Sequence, residues 1–400
     1  RYNARDSAIK LSKIHNAKLI LGSATPSLES KFNALNKKYG YVKLTEKYGL
    51  STSPEIKCID MKIYYKADKM KGLFTPELYD AIQQKLLLGQ QILLFQNRRG
   101  YAPIIECMTC GHIPKCRNCD VSLTFHQYSN SLKCHYCGFI EKNQKKCLKC
   151  TSKKIDMKGY GTQQIEEQIK SFFPKARVDR MDWDTTRGKY SVDKILEKFE
   201  NSHIDVLIGT QMITKGLDFK KIGLVGVINA DNLLFFPNFR ANEKAFQILT
   251  QVAGRAGRSS IKGSVIIQTF SSENNIFELI KKQNHNGFYK KEIIERNQFN
   301  YPPYYRLIKI IVKSRNSDIL RIASNWLFQS LSNGFIYPIY GPFDPHISKI
   351  KNQFIKQILI KYPNTNVRDK VKKHLMRSVE SFESIAKFRV VNLSVDVDPN

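Results

Sequence analysis

Apolar residues recur along this chain of 400 residues with two different spacings. Spacings of three and four residues predict helices, which cover residues 6–16, 75–88, 162–172, 191–199 and 241–252. Short, nearly continuous apolar runs predict buried strands, which cover residues 18–21, 91–95, 177–181, 205–209, 224–229 and 264–270. Because strands and helices alternate, the pattern predicts an α/β domain with an open, mostly parallel, doubly wound sheet.

The order of elements changes from about residue 273. A helix over residues 289–296 leads into elements that we predict as strand, helix, strand, strand, helix and strand. These elements cover residues 307–313, 319–331, 336–341, 353–361, 367–382 and 389–397. The order βαββαβ predicts a second, α+β domain of the split-βαβ type.

The net charge of the chain indicates the kind of partner that it binds. Lys and Arg give a formal net charge of +30, which favours a polyanion such as DNA, because neutralising phosphates releases counterions. Part of the excess also fits a genome that favours Lys codons. The sequence shows no signal peptide and no apolar run long enough to span a membrane, so we expect a cytoplasmic protein.

Cysteine is concentrated in one place. Eight of the nine cysteines form four C-x-x-C pairs, namely Cys107/Cys110, Cys116/Cys119, Cys134/Cys137 and Cys147/Cys150. Eight thiolates supply two complete tetrahedral zinc sites. A redox C-x-x-C occurs once near a βαβ pattern, and a disulfide framework needs a small secreted chain, so zinc is the better interpretation. The ninth, Cys58, is expected to be a small buried residue.

The four pairs can share two ions in a sequential, a crossed or a nested grouping. A hairpin over residues 121–133, turning near Ser129, would bring Cys116/Cys119 onto Cys134/Cys137 as a zinc ribbon. The hairpin then draws the outer pairs together, so we predict the nested grouping. His112, His126 and His135 lie nearby but are not needed, because eight sulfurs already satisfy two ions. Nine Lys or Arg residues and three exposed rings in this region also suit single-stranded DNA, although a plain solvated ribbon explains them equally well.

Three further motifs lie at the ends of elements. Gln251–Arg258 (QVAGRAGR) ends a helix, and two arginines three apart can both reach a phosphoryl group. Residues 209–219 (GTQMITKGLDF) follow a buried strand, at the edge where open sheets bind ligands. Residues 23–25 (SAT) follow their own strand. Taken alone, an R-x-x-R pair is usually a solvated helix face, residues 209–219 are more often an ordinary strand-to-loop turn, and residues 23–25 are a weak signal. The full Q-x-x-G-R-x-G-R run is far more specific.

Taken in chain order, residues 23–25, 209–219 and 251–258 resemble motifs III, V and VI of superfamily 2 helicases, with residues 97–101 (NRRGY) in the place of motif IV. Further runs narrow the match: LGSATPSLES, NRRGYAP, the cysteine insert, MDWDTTR and INADNLLFFPNFR. The whole chain resembles the primosomal protein N′ family of replication-restart DNA helicases. Small departures are Asn238 and Lys244, where the family tends to carry Asp and Arg.

The resemblance implies that this chain contains a RecA-like lobe. ATP with Mg²⁺ would bind between this lobe and a second RecA-like lobe. Arg255 and Arg258 would stabilise the transition state as catalytic residues. Nucleotide-binding residues would be Gly216, Asp218, Gln251 and Gly254. Coupling or DNA-binding residues would be Ser23, Thr25, Arg98, Arg99, Thr210, Gln211 and Lys215.

The resemblance also implies an organisation and a set of partners. The expected domains are the tail of lobe 1 (residues 1–45), lobe 2 (46–106 and 151–272), a zinc insert (107–150) and a C-terminal domain (273–400). Partners would be forked and single-stranded DNA, single-stranded DNA-binding protein and primosome loading proteins. We expect a bacterial, nucleoid-associated monomer with 3′→5′ polarity that starts primosome assembly at stalled forks.

No G-x-x-x-x-G-K-[ST] occurs here. The family's Walker A and D-E-x-H motifs would precede Arg1, so this chain alone is expected not to hydrolyse ATP. Two other interpretations remain open: a non-enzymatic zinc-dependent DNA-binding module, and a different superfamily 2 repair translocase.

Overall fold

The computed structural model describes residues 3–46, 54–97, 104–126, 129–144, 146–158, 161–182, 185–186, 188, 190–214, 219, 221–256 and 263–399. Its helices are α1 (Ala4–Ile14), α2 (Leu28–Leu35), α3 (Met61–Lys66), α4 (Pro76–Leu87), α5 (Thr162–Phe172), α6 (Ser191–Glu200), α7 (Asp231–Leu234), α8 (Ala241–Ala253), α9 (Asn275–Lys281), α10 (His285–Gln298), α11 (Ser317–Ser332) and α12 (Arg368–Ser384). Its strands are β1 (Glu55–Asp60), β2 (Gln91–Phe95), β3 (Ile104–Cys107), β4 (Thr124–His126), β5 (Ser131–Lys133), β6 (Ile140–Lys142), β7 (Ile155–Lys158), β8 (Val178–Met181), β9 (Val206–Gly209), β10 (Ile222–Val227), β11 (Ser264–Thr269), β12 (Tyr305–Ser314), β13 (Ile339–Phe343), β14 (Lys349–Ile350), β15 (Gln353–Pro363) and β16 (Asn392–Val397).

The chain divides into two compact units. The described residues of Asn33–Pro103 and Gly159–Lys291 form one, and those of Arg1–Phe32, Ile104–Lys158 and Glu292–Asn400 form the other. The domain boundaries expected from the sequence remain a prediction.

The first of these units is a parallel six-stranded sheet with the order β1-β11-β10-β2-β9-β8. All five residues of β2 are buried, as the unbroken apolar run predicted. Alternate residues of β2, Ile92 and Leu94, pack with α4 and α5 on one face, so helices cover a sheet whose strands are apolar on both sides. The parallel α/β fold expected from the sequence is confirmed.

Local signals explain where α4 begins and ends. The Thr75 hydroxyl accepts a hydrogen bond from the Leu78 N–H, and Pro76 occupies the first turn. Gly89, with φ of +64°, follows the helix. From the sequence, Thr162 is the expected cap of α5, but Gly161 occupies that position and the Thr162 hydroxyl hydrogen-bonds the buried Asp182 instead.

The second unit contains an antiparallel sheet with the order β13-β15-β12-β16. Helices α11 and α12 pack on it through a core that includes Leu327, Leu375 and Phe382. The chain order β12-α11-β13-β15-α12-β16 and this strand order confirm the split-βαβ domain.

Two parts of the chain differ from the prediction. Residues 18–21 form no strand and are exposed, Ile20 at 92%, because no described strand pairs with them. The segment from Pro26 to about Lys71 is polar and rich in Lys and Tyr, which predicts a connection, but its described residues contain α2, β1 and α3. The edge strand β1 was missed because none of its residues is buried and charged residues interrupt its apolar ones, so it forms no apolar run.

Among the described residues, no helix is long and apolar enough to cross a membrane.

Candidate metal centres and motor-lobe site

The eight paired cysteines form two four-sulfur clusters in the nested grouping. One cluster contains Cys107, Cys110, Cys147 and Cys150, and the other contains Cys116, Cys119, Cys134 and Cys137. Within each cluster all ligand atoms lie within 4.8 Å of one another. The two clusters are referred to below as the outer and the inner cluster.

The sulfur spacing tests whether zinc fits. The Sγ atoms of Cys116 and Cys137 lie 3.5 Å apart, and those of Cys110 and Cys147 lie 3.7 Å apart. A tetrahedral ion with Zn–S bonds of about 2.3 Å separates its sulfurs by about 3.8 Å. A disulfide would require about 2 Å, so both clusters match a four-thiolate zinc site.

Turns hold each pair in place. Gly111 and Gly138 have φ of +67° and +80°, and their N–H groups donate to the carbonyls of Cys107 and Cys134. These positive φ angles favour glycine, because it lacks a Cβ. The hairpin predicted inside the inner cluster is present, since β4 and β5 pair antiparallel.

Cys107 and Cys137 are among the thiols that are biased towards the thiolate form that a metal requires. Burial raises the pKa of Cys107, but N–H groups of Cys110 and Thr109 and neighbouring thiols outweigh it, and this pKa falls to about 6. Burial also opposes ionisation of Cys137, yet the Phe139 N–H and neighbouring thiols lower its pKa to about 7. The three nearby histidines are in neither cluster.

The motor-lobe candidates meet at the carboxyl ends of neighbouring parallel strands. Asn97 follows β2, and Thr210 and Gln211 follow β9. The Gln211 side-chain amide donates a hydrogen bond to the Asn97 side-chain oxygen over 3.2 Å. Asn97 is buried, whereas Thr210 and Gln211 are half-buried.

Gly209 is required at the start of this turn. A Cβ on it would lie 2.3 Å from Cγ2 of Ile213 and 3.2 Å from the Met181 carbonyl oxygen. This tight turn places the Gln211 side chain within hydrogen-bond distance of Asn97.

The residues of the arginine motif lie at the end of α8. Gln251 is half-buried within the helix, and Gly254 caps it through an N–H bond to the Thr250 carbonyl. Arg255 follows and is buried. In the other unit, Thr25 is buried and its N–H donates to the exposed Ser23 hydroxyl.

Six of the expected site residues lie outside the described residues, namely Arg98, Arg99, Lys215, Gly216, Asp218 and Arg258.

Two buried carboxylates near the strand ends were not singled out from the sequence. Asp182, in the MDWDTTR run, accepts from the Thr162 hydroxyl and from Arg180. Asp231, in the INADN run, accepts from the Thr269 hydroxyl and the Phe270 N–H over 3.0 and 2.7 Å. Both runs carried the resemblance, and an acidic residue shortly after a strand was the available signal.

Known proteins resemble this chain along its full length. Residues 297–400 match the family model described as the primosomal protein N C-terminal domain. Residues 116–142 match the model described as the PriA DNA helicase Cys-rich region domain.

Curated relatives include the replication restart protein PriA of Bacillus subtilis, 37% identical over all of this chain and 49% of that protein. That of Chlamydia trachomatis is 38% identical over all of this chain and 53% of that protein. That of Rickettsia typhi is 36% identical over all of this chain and 60% of that protein. The chain therefore spans about half the length of the curated relatives it matches.

Among solved structures, S. cerevisiae Dbp5 bound to RNA and ADP BeF3 is 14% identical, with a TM-score of 0.38, over 74% of this chain and 59% of that one. A likeness this weak carries no argument, and the fold rests on the strand order described above.

Proposed function

We propose that this chain belongs with the PriA replication restart proteins. In this proposal it supplies the second motor lobe, the zinc module and the C-terminal domain of an ATP-dependent DNA helicase. The observation that carries the proposal is the convergence of Asn97, Thr210 and Gln211 at the carboxyl edge of a parallel sheet, because open α/β sheets bind ligands there.

In this proposal ATP with Mg²⁺ binds between this lobe and a first lobe that supplies the phosphate loop. Arg255 and Arg258 stabilise the charge that develops on the transferred phosphoryl group. Gly216, Asp218, Gln251 and Gly254 shape the same cleft. Ser23 and Thr25 couple the nucleotide state to lobe closure.

The DNA track uses a second set of residues, which consists of Arg98, Arg99, Thr210, Gln211 and Lys215. The zinc module adds a basic and aromatic surface in which Arg117 is 76% exposed on its side chain and Tyr136 is 48% exposed. Exposed rings stack on bases and cations pair with phosphates, as single-stranded DNA requires. The zinc ions have a structural role here, since four sulfurs leave no open position for substrate.

At the level of the whole protein, we propose recognition of stalled or abandoned forks, 3′→5′ unwinding and initiation of primosome assembly. The partners are single-stranded DNA-binding protein and primosome loading proteins. The protein acts as a monomer in the bacterial cytoplasm, associated with the nucleoid.

The test uses the full-length protein on forked DNA with ATP and compares Arg255→Ala with Arg321→Ala. Arg321 is an exposed arginine on α11 and serves as the control. Arg255→Ala is expected to lower ATP hydrolysis by about 10³–10⁵-fold with little loss of DNA affinity, whereas Arg321→Ala keeps both.

Other outcomes identify the rival functions. DNA binding without any ATP hydrolysis in the unsubstituted full-length protein would show a zinc-dependent binding module. ATP-driven translocation without preference for forks, or for 3′ over 5′ tails, would show a repair translocase.

A further inference from the structure

A hairpin of the C-terminal domain reaches the inner cluster. Strands β14 and β15 are joined by Lys351 and Asn352, with φ of +51° and +60°. Two consecutive positive φ values define a type I′ turn, which suits the right-handed twist of paired strands. Asn tolerates this backbone conformation, whereas Lys does so at a cost.

The hairpin is hydrogen-bonded to residues 118–120, which include Cys119 of the inner cluster. The Asp120 N–H donates to the Lys349 carbonyl, and the Asn352 N–H donates to the Asn118 carbonyl, each over 2.8 Å. Between these two bonds, the Lys351 N–H donates to Cys119 Sγ over 3.3 Å. The C-terminal domain therefore contacts a metal-ligating atom directly, from 232 residues away in the chain.

Side chains extend the same contact. Ile350 packs against the small core of the inner cluster, which includes Leu123 and Leu132. The Ser348 hydroxyl donates to the Asp120 carboxylate over 3.0 Å. Apolar packing and a side-chain hydrogen bond therefore join the hairpin to the inner cluster, in addition to the backbone bonds.

The outer cluster provides a contrast. Among the described residues, the N–H groups that donate to its sulfurs belong to its own turns, such as the Lys149 N–H on Cys147 Sγ. Its knuckles are therefore complete without the C-terminal domain.

We infer that residues 348–352 are a positioning segment of the inner metal site, and that metal there fastens the zinc module and the C-terminal domain into one body. An N–H bond to a thiolate ligand fixes its orientation and offsets the charge of four thiolates around one dication. Coupling of this kind is reciprocal. The hairpin slows metal loss from the inner cluster, and metal at the inner cluster orders the hairpin.

The first test measures zinc release from the full chain to a chelator with a colour indicator. Two phases are expected, one for each ion, and Cys134→Ser identifies the inner phase because it removes that site. Ile350→Ala is expected to accelerate the inner phase about 10-fold or more and to leave the outer phase unchanged. Ile336→Ala, an equally large truncation at a position 86% exposed in the same domain, changes neither. Acceleration of both phases equally, or of neither, would overturn the inference.

The second test does not depend on the Ile350 variant. Hydrogen exchange of residues 348–355 is compared in the zinc-loaded chain, in Cys134→Ser and in Cys147→Ser. Protection is expected to fall in Cys134→Ser and to remain in Cys147→Ser. Equal protection in both variants would contradict the assignment of the hairpin to the inner site.

Discussion

Gln211 and Asn97 are joined by a side-chain hydrogen bond of 3.2 Å that connects the ends of two adjacent parallel strands. Asn97 is only 3% exposed, so this bond satisfies a polar group that water barely reaches. The bond fixes the direction of Gln211, the residue that we propose contacts the tracking strand of DNA.

Truncating this side chain is expected to weaken the response to DNA. In the full-length protein, Gln211→Ala should lower DNA-stimulated ATP hydrolysis by about tenfold, because a lost hydrogen bond to a buried partner costs about 1–3 kcal/mol. Hydrolysis is measured as single-stranded DNA is titrated. Gln163→Ala, at an exposed hydrogen bond on α5, is the control, and equal DNA stimulation of both variants would remove Gln211 from the DNA track.

Adding a methyl group at Gly209 should destabilise the unit that contains the parallel sheet. Gly209→Ala places a Cβ 2.3 Å from Ile213 Cγ2, and overpacking of this kind costs about 1–3 kcal/mol. The measurement is the free energy of unfolding in urea. Gly40→Ala is the matched control, since a Cβ there meets nothing within 4 Å.

A second substitution tests the cause of this loss. Ile213→Ala removes the clashing methyl group, so its cost and that of Gly209→Ala should not add in a double-mutant cycle. Strict additivity would mean that the glycine is required for another reason.

Zinc content distinguishes the three possible cysteine groupings. The full chain should bind two zinc ions, and Cys58→Ser should keep both. Cys107→Ser with Cys147→Ser disables one nested site, so one ion should remain. Cys107→Ser with Cys116→Ser disables both nested sites and should leave none.

The other groupings give different values for these two double variants. A sequential grouping would reverse the two counts, and a crossed grouping would give no zinc in either. Metal analysis of purified protein separates the cases without any activity measurement.

Acid should remove the contribution that the Asp205 carboxylate, directly before β9, makes to the free energy of unfolding. Hydrogen bonds from the Arg177 guanidinium hold the pKa of Asp205 below its ordinary value of 3.8, and partial burial opposes this shift only in part. A lowered pKa in the folded state means stabilisation above about pH 4 that is lost as the pH falls through the folded value. Because the pair is partly exposed, Asp205→Asn is expected to cost only about 0.5–1 kcal/mol near pH 7.

The measurement is urea unfolding at neutral pH and at successively lower pH below about 4, along which the cost of Asp205→Asn should fall. Asp193→Asn, at an exposed carboxylate on α6, corrects for any loss of metal in acid, since both variants keep the same cysteines. A cost that is independent of pH would exclude the ion pair as its source.

The sequence predicted those parts of the fold whose residues carry a local signal. β2 and β9 were visible because both faces are buried, and α4 because Thr75, Pro76 and Gly89 mark its ends. β1 and β14 were missed because their stability comes from distant partners, namely β11 and β15. The strand predicted over residues 18–21 was wrong for the converse reason. An apolar run forms a strand only where another strand pairs with it.

The candidate site divides in the same way. The C-x-x-C spacing identified all eight cysteines of the two clusters, because each pair is a complete local unit. The Lys351 N–H on Cys119 was invisible, because backbone donors have no sequence signature. The bond between Gln211 and Asn97 required the strand order, which brings residues 114 positions apart to one edge.

The pairing of β3 with β7 places Ile104 opposite Lys158, so the cysteine-rich segment leaves and returns at neighbouring points. The pairing of β3 with β7 holds the two ends of this segment together. The rest of the chain therefore carries no additional entropic cost for closing a long loop. We therefore expect that changes of length inside this segment leave the strand order of the parallel sheet unchanged.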